Sequence, residues 1–354
     1  MKHNNKYCAF FRVDANKKIG SGHFVRCRIL AESLNNNGFR IFFVYTGLPE
    51  KYKSELLNKN FGVYEIPPLT DETDTLVEII NKQKCSSSIL ITDSDKENFY
   101  TSKFQLGIKN NNIKLMTITF RNDFHFYSDI LHNQNIMAPE LNYSAENYTV
   151  KLLGTEYVIL DSRYSEIADQ KIKWEEKKNI VLISFGGTDE ADRTSKVYRV
   201  LQNFAGKIEK IIVVTGAMYE NRALLENLIS KSKILTEMYQ NTDRMPYLMR
   251  EAKYAFTSGG LTAWELGVTN TLNIIISSTP RENLSGKFIG KKGYGYYFGN
   301  AENVTENELK IGTARVFSDV EKNKKIVNLI ASKINPRGTE KVVQKIIEIM
   351  EAAN

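Results

Sequence analysis

The residues best suited to chemistry stand where a strand gives way to a helix. Residues 19–23, IGSGH, follow the apolar run YCAFFRV at 7–13 and place His23 at the head of a helical pattern carried by Phe24, Cys27, Leu30, Ala31 and Leu34. A helix N-terminus favours the neutral imidazole, and a neutral imidazole can take a proton near pH 7, as a general base must. The same position suits a capping or packing histidine. Asp14, at the end of the strand, can orient the ring, contact a substrate hydroxyl, or cap the loop NKKIGSG. Arg26, one turn into the helix, can pair with a phosphate or with a structural carboxylate. Gly20 and Gly22 let the backbone approach a ligand, but the loop is not the dinucleotide fingerprint, because Val25 stands where the third glycine is required.

Two further turns have the composition of anion-binding loops. FGGT at 185–188 contains Gly186, Gly187 and Thr188, and SGGLTAWE at 258–265 contains Ser258, Gly259, Gly260, Thr262 and Glu265. Each follows an apolar strand and opens a helix, so backbone N–H groups can cradle a phosphate or ribose. Glu265 can accept from a ribose diol or stand on a helix surface, while Trp264 is read as core. Glu282 and Asn283 follow the strand LNIIIS at 272–277, where they can hold sugar hydroxyls or cap a helix.

These loops need a scaffold of alternating strands and helices. YCAFFRV, the helix from Phe24, the stop at Gly38 and RIFFVYT at 40–46 make a βαβ unit, which favours a parallel sheet. Further strands are expected at 88–92 (ending in Asp93), 114–119 and 157–160 (YVIL). A polar stretch at 161–178 marks the boundary between domains 1–168 and 169–354. The second series has strands at 180–185, 211–214, 253–257 and 272–277, then YGYYF, and a terminal helix at 338–353 with Thr339 as its cap. The fold class is α/β with two halves of similar size.

Composition narrows the function classes. The 354 residues are 25% charged and 42% hydrophobic, which fits a globular chain; the net charge of +7 shows no basic stripe and by charge alone leaves polynucleotide and nucleotide partners both open, and with the glycine loops a small nucleotide-bearing molecule rather than a nucleic acid is the expected partner. Three cysteines show neither CxxC spacing nor the density of a disulfide scaffold, and with four histidines a zinc site is not expected. No cofactor or metal is implied. No apolar run reaches the ~18 residues of a membrane span and no secretory leader is read, so a cytoplasmic protein is expected.

The stretch RVDANKKIGSGHFVRCRILAESL at 12–34 resembles the opening signature of the nucleotide-sugar hydrolases of the pseudaminic-acid pathway and the related spore-coat polysaccharide biosynthesis proteins. LITDSD at 90–95, SDILHNQN at 128–135, LLGTEYVILDSRY at 152–164, SFGGTDEAD at 184–192, SGGLTAWEL at 258–266 and the Glu282-Asn283 pair match the same family in order. The resemblance covers about residues 7–300. It implies a glycosyltransferase-B (GT-B) architecture, two Rossmann-like domains facing a cleft. By that resemblance the C-terminal domain is similar to that of the peptidoglycan N-acetylglucosaminyltransferase and would hold the nucleotide diphosphate. It further implies hydrolysis of a UDP-linked 2,4-diacetamido-2,4,6-trideoxyhexose, without metal, by water attack at the anomeric carbon. His23 would then be the base, and Asn283 would help hold the sugar.

The chain departs from that family on the sugar side. Asp93-Ser94-Asp95 replaces an Asp-His-Tyr motif, Phe120-Arg121-Asn122-Asp123 replaces a paired aspartate motif, and Leu284 replaces a glutamine. Asp95 is the candidate for the polar group that the tyrosine would have supplied. A nucleotide-sugar hydrolase is the first expectation. A glycosyltransferase using a nucleotide-sugar donor, or a non-catalytic nucleotide-sugar-binding protein, are the alternatives.

Overall fold

The computed structural model describes residues 7–16 and 19–352, which fall into two units. The first runs to Asp161 and resumes at Arg337; the second is Ser162–Pro336. The first unit contains β1 (Tyr7–Val13), α1 (Gly22–Asn36), β2 (Arg40–Tyr45), α2 (Glu50–Asn58), β3 (Gly62–Glu65), α3 (Thr73–Lys82), β4 (Ser87–Asp93), α4 (Ser102–Lys109) and β5 (Lys114–Ile118). It continues through β6 (His125–Phe126), β7 (Ile130–Asn133), β8 (Ser144–Ala145) and β9 (Val150–Leu153). The second unit contains α5 (Ser162–Asp169), β10 (Ile180–Ser184), α6 (Arg193–Leu201), β11 (Lys210–Thr215), α7 (Arg222–Ser230), β12 (Leu235–Gln240), α8 (Met245–Glu251) and β13 (Tyr254–Thr257). It ends with α9 (Thr262–Val268), β14 (Leu272–Ser277), α10 (Pro280–Lys292), β15 (Tyr296–Asn300), α11 (Glu306–Ser318) and α12 (Val320–Ala331); α13 (Gly338–Glu351) returns to the first unit.

Each unit is built on one parallel sheet. The first has the order β3-β2-β1-β4-β5-β7-β9 and the second β12-β11-β10-β13-β14-β15, with β6 and β8 forming a separate two-stranded ladder. Side-chain alternation decides what faces what. On β1, Ala9, Phe11 and Val13 pack with Phe24, Cys27, Leu30, Ala31 and Leu34 of α1 and with Val342, Ile346 and Met350 of α13. Cys8 and Phe10 point the other way, to Leu76 and Ile80 of α3 and Phe104 and Ile108 of α4. On β4, Ile89 and Ile91 share the α1 face, so Asp93 at the end of the strand looks toward α1 as well.

Several expectations need correction. YVIL is not a strand: Val158, Ile159 and Leu160 are buried by α13, whose Thr339 hydroxyl donates to Leu160 O at 2.8 Å and accepts from Leu160 N at 2.8 Å. Thr339 is therefore a clamp on the backbone of Leu160 rather than the cap of its own helix, and the last strand of the sheet is β9. The chain divides after Asp161 rather than after residue 168, because α5 packs within the second unit, where Arg163 donates to Asp243 O at 2.5 Å. The polar stretch beyond it is anchored as well. Trp174 is buried and donates to Lys253 O, while buried Lys177 donates from Nζ to Ala252 O (2.8 Å), Thr269 O (2.8 Å) and the Thr271 hydroxyl (2.9 Å). Cys8 and Cys85 form a disulfide with Cα atoms 6.0 Å apart, a pairing that spacing in sequence did not signal.

Candidate functional site

At the carboxyl edge of the first sheet, α1 directs two side chains one turn apart, His23 and Arg26, at the end of β4. Asp93 receives both. Its Oδ1 lies 2.5 Å from His23 Nδ1 and accepts from an Arg26 Nη at 2.6 Å, and its Oδ2 accepts from Arg26 Nε at 2.8 Å. The Cys27 thiol lies 3.6 Å from Oδ2. All three partners are buried, Asp93 almost completely at 1%. Burial alone would push this carboxyl up, but the charge of Arg26, the His23 ring and their hydrogen bonds hold it well below the usual carboxylate range. An ionised carboxylate can only accept, so His23 Nδ1 carries the hydrogen, and in the neutral form of the ring Nε2 is the acceptor. Nε2 lies 3.9 Å from Oδ2 of Asp95, whose side chain is 57% exposed. The ring is thus fixed on its inner side and presents a proton-accepting nitrogen beside an exposed carboxylate.

Asp14, expected near His23, belongs to a different network. Its carboxylate accepts from Thr46 N (2.7 Å), the Thr46 hydroxyl (3.1 Å), Gly47 N (3.3 Å) and Lys96 Nζ (3.0 Å), and Arg12 lies 2.9 Å away. Arg12 in turn pairs with fully buried Glu72. The reason is parity: Arg12 and Asp14 continue the face of β1 that turns away from α1. Arg12 and these hydrogen bonds hold Asp14, against its burial, well below the usual carboxylate range. Its work is to fix the turn after β2. Gly20 adopts φ +79° in the loop before α1, and Gly22 is the exposed first residue of that helix with no neighbour to clash with a Cβ.

His132, on β7, was not foreseen. It is fully buried, its Nε2 donates to Tyr157 O at 2.7 Å, and burial brings its pKa down from 6.5 to about 4. It stays a neutral ring on the α1 side of the sheet, where Arg26 and Asp93 act on it electrostatically.

The second sheet gathers three loops at its carboxyl edge, after the adjacent strands β10, β13 and β14. Gly186 has φ +85° and is exposed; Gly187 is in backbone contact with Gly216 after β11; Thr188 is half-buried. Gly259 has φ +84° and lies against Ile275, and its carbonyl accepts from the Ser285 hydroxyl at 3.0 Å, which ties the Ser258–Gly260 turn to α10. Gly260 is exposed, and Thr262 and Glu265 lie half-buried on α9.

Glu282 and Asn283, which the sequence places together, divide their roles. Glu282 completes a capping box with Thr279 and accepts from Ser278 N at 2.8 Å and Arg193 Nη1 at 3.2 Å, so that carboxylate oxygen serves the fold. Arg193 is a buried staple that also bonds Asp189 (2.8 Å), Ile276 O (2.9 Å) and Phe185 O (3.3 Å), joining the ends of β10 and β14. Asn283 accepts at Oδ1 from Tyr297 OH at 2.6 Å, and that hydroxyl also lies 3.0 Å from Ser277 Oγ. The amide is thereby oriented, with its NH₂ available as a donor. Among the described residues no group of three or more His, Cys, Asp or Glu side chains is placed to hold a metal ion, and no helix is long and apolar enough to cross a membrane.

No family model matches the chain. It is 28% identical over 264 residues to an uncharacterized protein of Methanocaldococcus jannaschii, covering 72% of this chain and 52% of that one, so it spans about half the length of that relative. It is 21% identical over 322 residues to the spore coat polysaccharide biosynthesis protein SpsG of Bacillus subtilis, covering 86% of this chain and 88% of SpsG. Among solved structures it is similar to MurG of Acinetobacter baumannii (TM-score 0.69, 13% identity, 97% of this chain and 99% of that one). It is also similar to a UGT transferase of Siraitia grosvenorii in complex with UDP (TM-score 0.63, 9% identity, 98% and 100% covered) and to S. aureus MnaA with UDP (TM-score 0.62, 11% identity, 98% and 97% covered). The two-domain α/β architecture with parallel sheets is therefore that of the GT-B glycosyltransferases and epimerases, and SpsG is a distant relative.

Proposed function

We propose that this chain hydrolyses a UDP-linked amino-deoxy sugar, of the 2,4-diacetamido-2,4,6-trideoxyhexose type, to free sugar and UDP in the biosynthesis of a nonulosonic acid or another surface glycan. The observation that carries the reading is the Asp93–His23 pair at 2.5 Å, which leaves Nε2 as a fixed proton acceptor at the carboxyl edge of the sheet. Water gives its proton to His23 Nε2 as its oxygen bonds to the anomeric carbon; the bond from that carbon to the phosphate oxygen breaks, and UDP leaves with the electron pair. Asp93 supports the imidazolium that forms, and Asp95 stands on the Nε2 side to hold the water or a sugar group. The glycine turns at Gly186–Thr188 and Ser258–Gly260 offer N–H groups to the diphosphate, and Glu265 meets the ribose. Asn283 donates to the sugar.

The exposed carboxylate of Asp95 beside His23 supports this division, because it repels phosphate and suits a neutral sugar and water, whereas the charge of Asp93 is matched by Arg26. UDP in two of the similar structures supports the choice of nucleotide. A second reading, transfer of the sugar to an acceptor hydroxyl, is favoured by the likeness to MurG and the UGT transferase. The same base would then deprotonate the acceptor. Proton NMR of the purified protein with a panel of UDP-sugars, following the anomeric signal and free UDP, separates the two. Release of sugar and UDP in buffer alone supports hydrolysis. A donor that is stable until an acceptor is added supports transfer, and binding without consumption under either condition removes both.

A further inference from the structure

The two sulfurs of the Cys8–Cys85 disulfide sit in different surroundings. Cys8 is fully buried on β1, among Phe10, Phe42, Leu76 and Ile80. Cys85 is half-buried in the turn before β4, where the Arg40 guanidinium lies 3.8 Å from its Sγ. Arg40 also donates to Gln83 O at 3.2 Å, and the Gln83 amide donates to Tyr64 OH at 2.7 Å, so the turn is held at the margin of the apolar cluster, against which half-buried Cys85 packs. Cys27 remains a free, buried thiol. The bond lies at the amino end of β1 and β4, opposite the end that carries Asp93 and His23. The proposed hydrolysis does not use it, and the register of β1 on β4 is set by the ladder from Tyr7↔Ser87 to Val13↔Asp93.

We propose that Cys8–Cys85 is a thiol–disulfide exchange site for a low-molecular-weight thiol couple such as glutathione. An external thiolate attacks Sγ of Cys85, the less buried of the two residues; the Cys8–Cys85 bond breaks, and Cys8 leaves as a thiolate that takes a proton. A second external thiolate attacks the mixed disulfide on its external sulfur, which releases the disulfide of the small thiol and leaves Cys85 as a thiolate beside the Arg40 charge. Two electrons and one proton pass to the protein, the second proton goes to solvent, and two small thiols become one disulfide. In reverse, Cys8 resolves the mixed disulfide on Cys85. The closed bond spans 77 residues that include α1, so its consequence is the stability of the first unit.

The test is equilibration of the purified chain in glutathione buffers of graded reduced-to-oxidised ratio, followed by acid quench, alkylation under denaturing conditions and peptide mass spectrometry. The expected result is that Cys8 and Cys85 become alkylated together, in one step, as the ratio becomes reducing, while Cys27 is alkylated at every ratio. The reduced form should melt at a lower temperature than the oxidised form. In Cys8→Ser, Cys85 should carry glutathione in the oxidising buffers. Full alkylation of Cys8 and Cys85 in the most oxidising buffer would overturn the proposal, as would a bond that stays closed in the most reducing one. Glutathione found on Cys8 of Cys85→Ser as readily as on Cys85 of Cys8→Ser would overturn the assignment of the attacked sulfur.

Discussion

Replacing Asp93 by Asn keeps the shape of the side chain and removes its charge. In the native protein both carboxylate oxygens are used, by His23 at 2.5 Å and by Arg26 at 2.6 and 2.8 Å. An amide offers one acceptor and one donor, so its NH₂ must face either the Nδ1 hydrogen of His23 or the guanidinium. Breaking a buried ion pair by neutralising one partner costs about 3–5 kcal/mol, because the other charge stays buried. Spread over a unit of this size, that is a fall in melting temperature on the order of 10 °C. Catalysis should suffer separately. An imidazole that loses the acceptor at Nδ1 no longer presents Nε2 as its free nitrogen, a loss worth about 10⁴ in kcat where an Asp–His pair has been treated this way. General-base catalysis alone is worth about 10²–10⁴. The assay is UDP release from a turned-over UDP-sugar at 20 °C below the variant's melting point, with circular dichroism as the check on folding. A folded Asp93→Asn protein with turnover within about threefold of the native rate would refute the role given to the pair.

Other perturbations have signs that follow from the structure. His132 is neutral and buried with a pKa near 4 against 6.5 when free, so the unfolded chain binds more protons between those values and stability should fall by up to about 3 kcal/mol as pH drops from 6.5 to 4; His132→Gln should flatten that slope in chemical denaturation. Lys177→Met leaves the buried Thr269 carbonyl without its ammonium donor and the Ala252 carbonyl with the Thr271 hydroxyl alone, and urea titration should show a loss of about 1–3 kcal/mol. Gly216→Ala drives a Cβ into the backbone of Gly187, so calorimetric titration with UDP should show weaker binding, with the first unit's melting unaltered. Asp14→Asn loosens the Arg12 pair and the turn at Thr46, and should lower the melting temperature more than it lowers kcat.

The helix that presents His23 was legible in the sequence because apolar spacing, a glycine loop and a stop at Gly38 all agree, and the structure gives Gly22–Asn36. The partner of His23 was legible too, by a rule that the reading from Asp14 passed over. Strand side chains alternate, so Arg12 and Asp14 share the face away from α1, whereas Ile89, Ile91 and Asp93 share the face toward it. Strands β3 and β12 escaped notice because short edge strands such as GVYE and LTEMYQ carry mixed polarity. YVIL misled in the other direction: apolar residues are buried there by a helix that arrives 179 residues later at Thr339. Lys177 sits in a run of charges that reads as solvent-exposed, and only the folded chain brings the carbonyls of Ala252 and Thr269 to its ammonium. The pairing of Cys8 with Cys85, like that of Asn283 with Tyr297, is non-local and leaves no periodic trace.

In the proposed reaction His23 directs water to the anomeric carbon rather than to phosphorus. Turnover of a consumed UDP-sugar in heavy-oxygen-labelled water, read by mass spectrometry of both products, tests it most directly. Label is expected in the anomeric hydroxyl of the released sugar, with none in UDP and no labelled product from a folded His23→Ala protein that still binds UDP. Label in the phosphate of UDP, or undiminished labelling by His23→Ala, would contradict it.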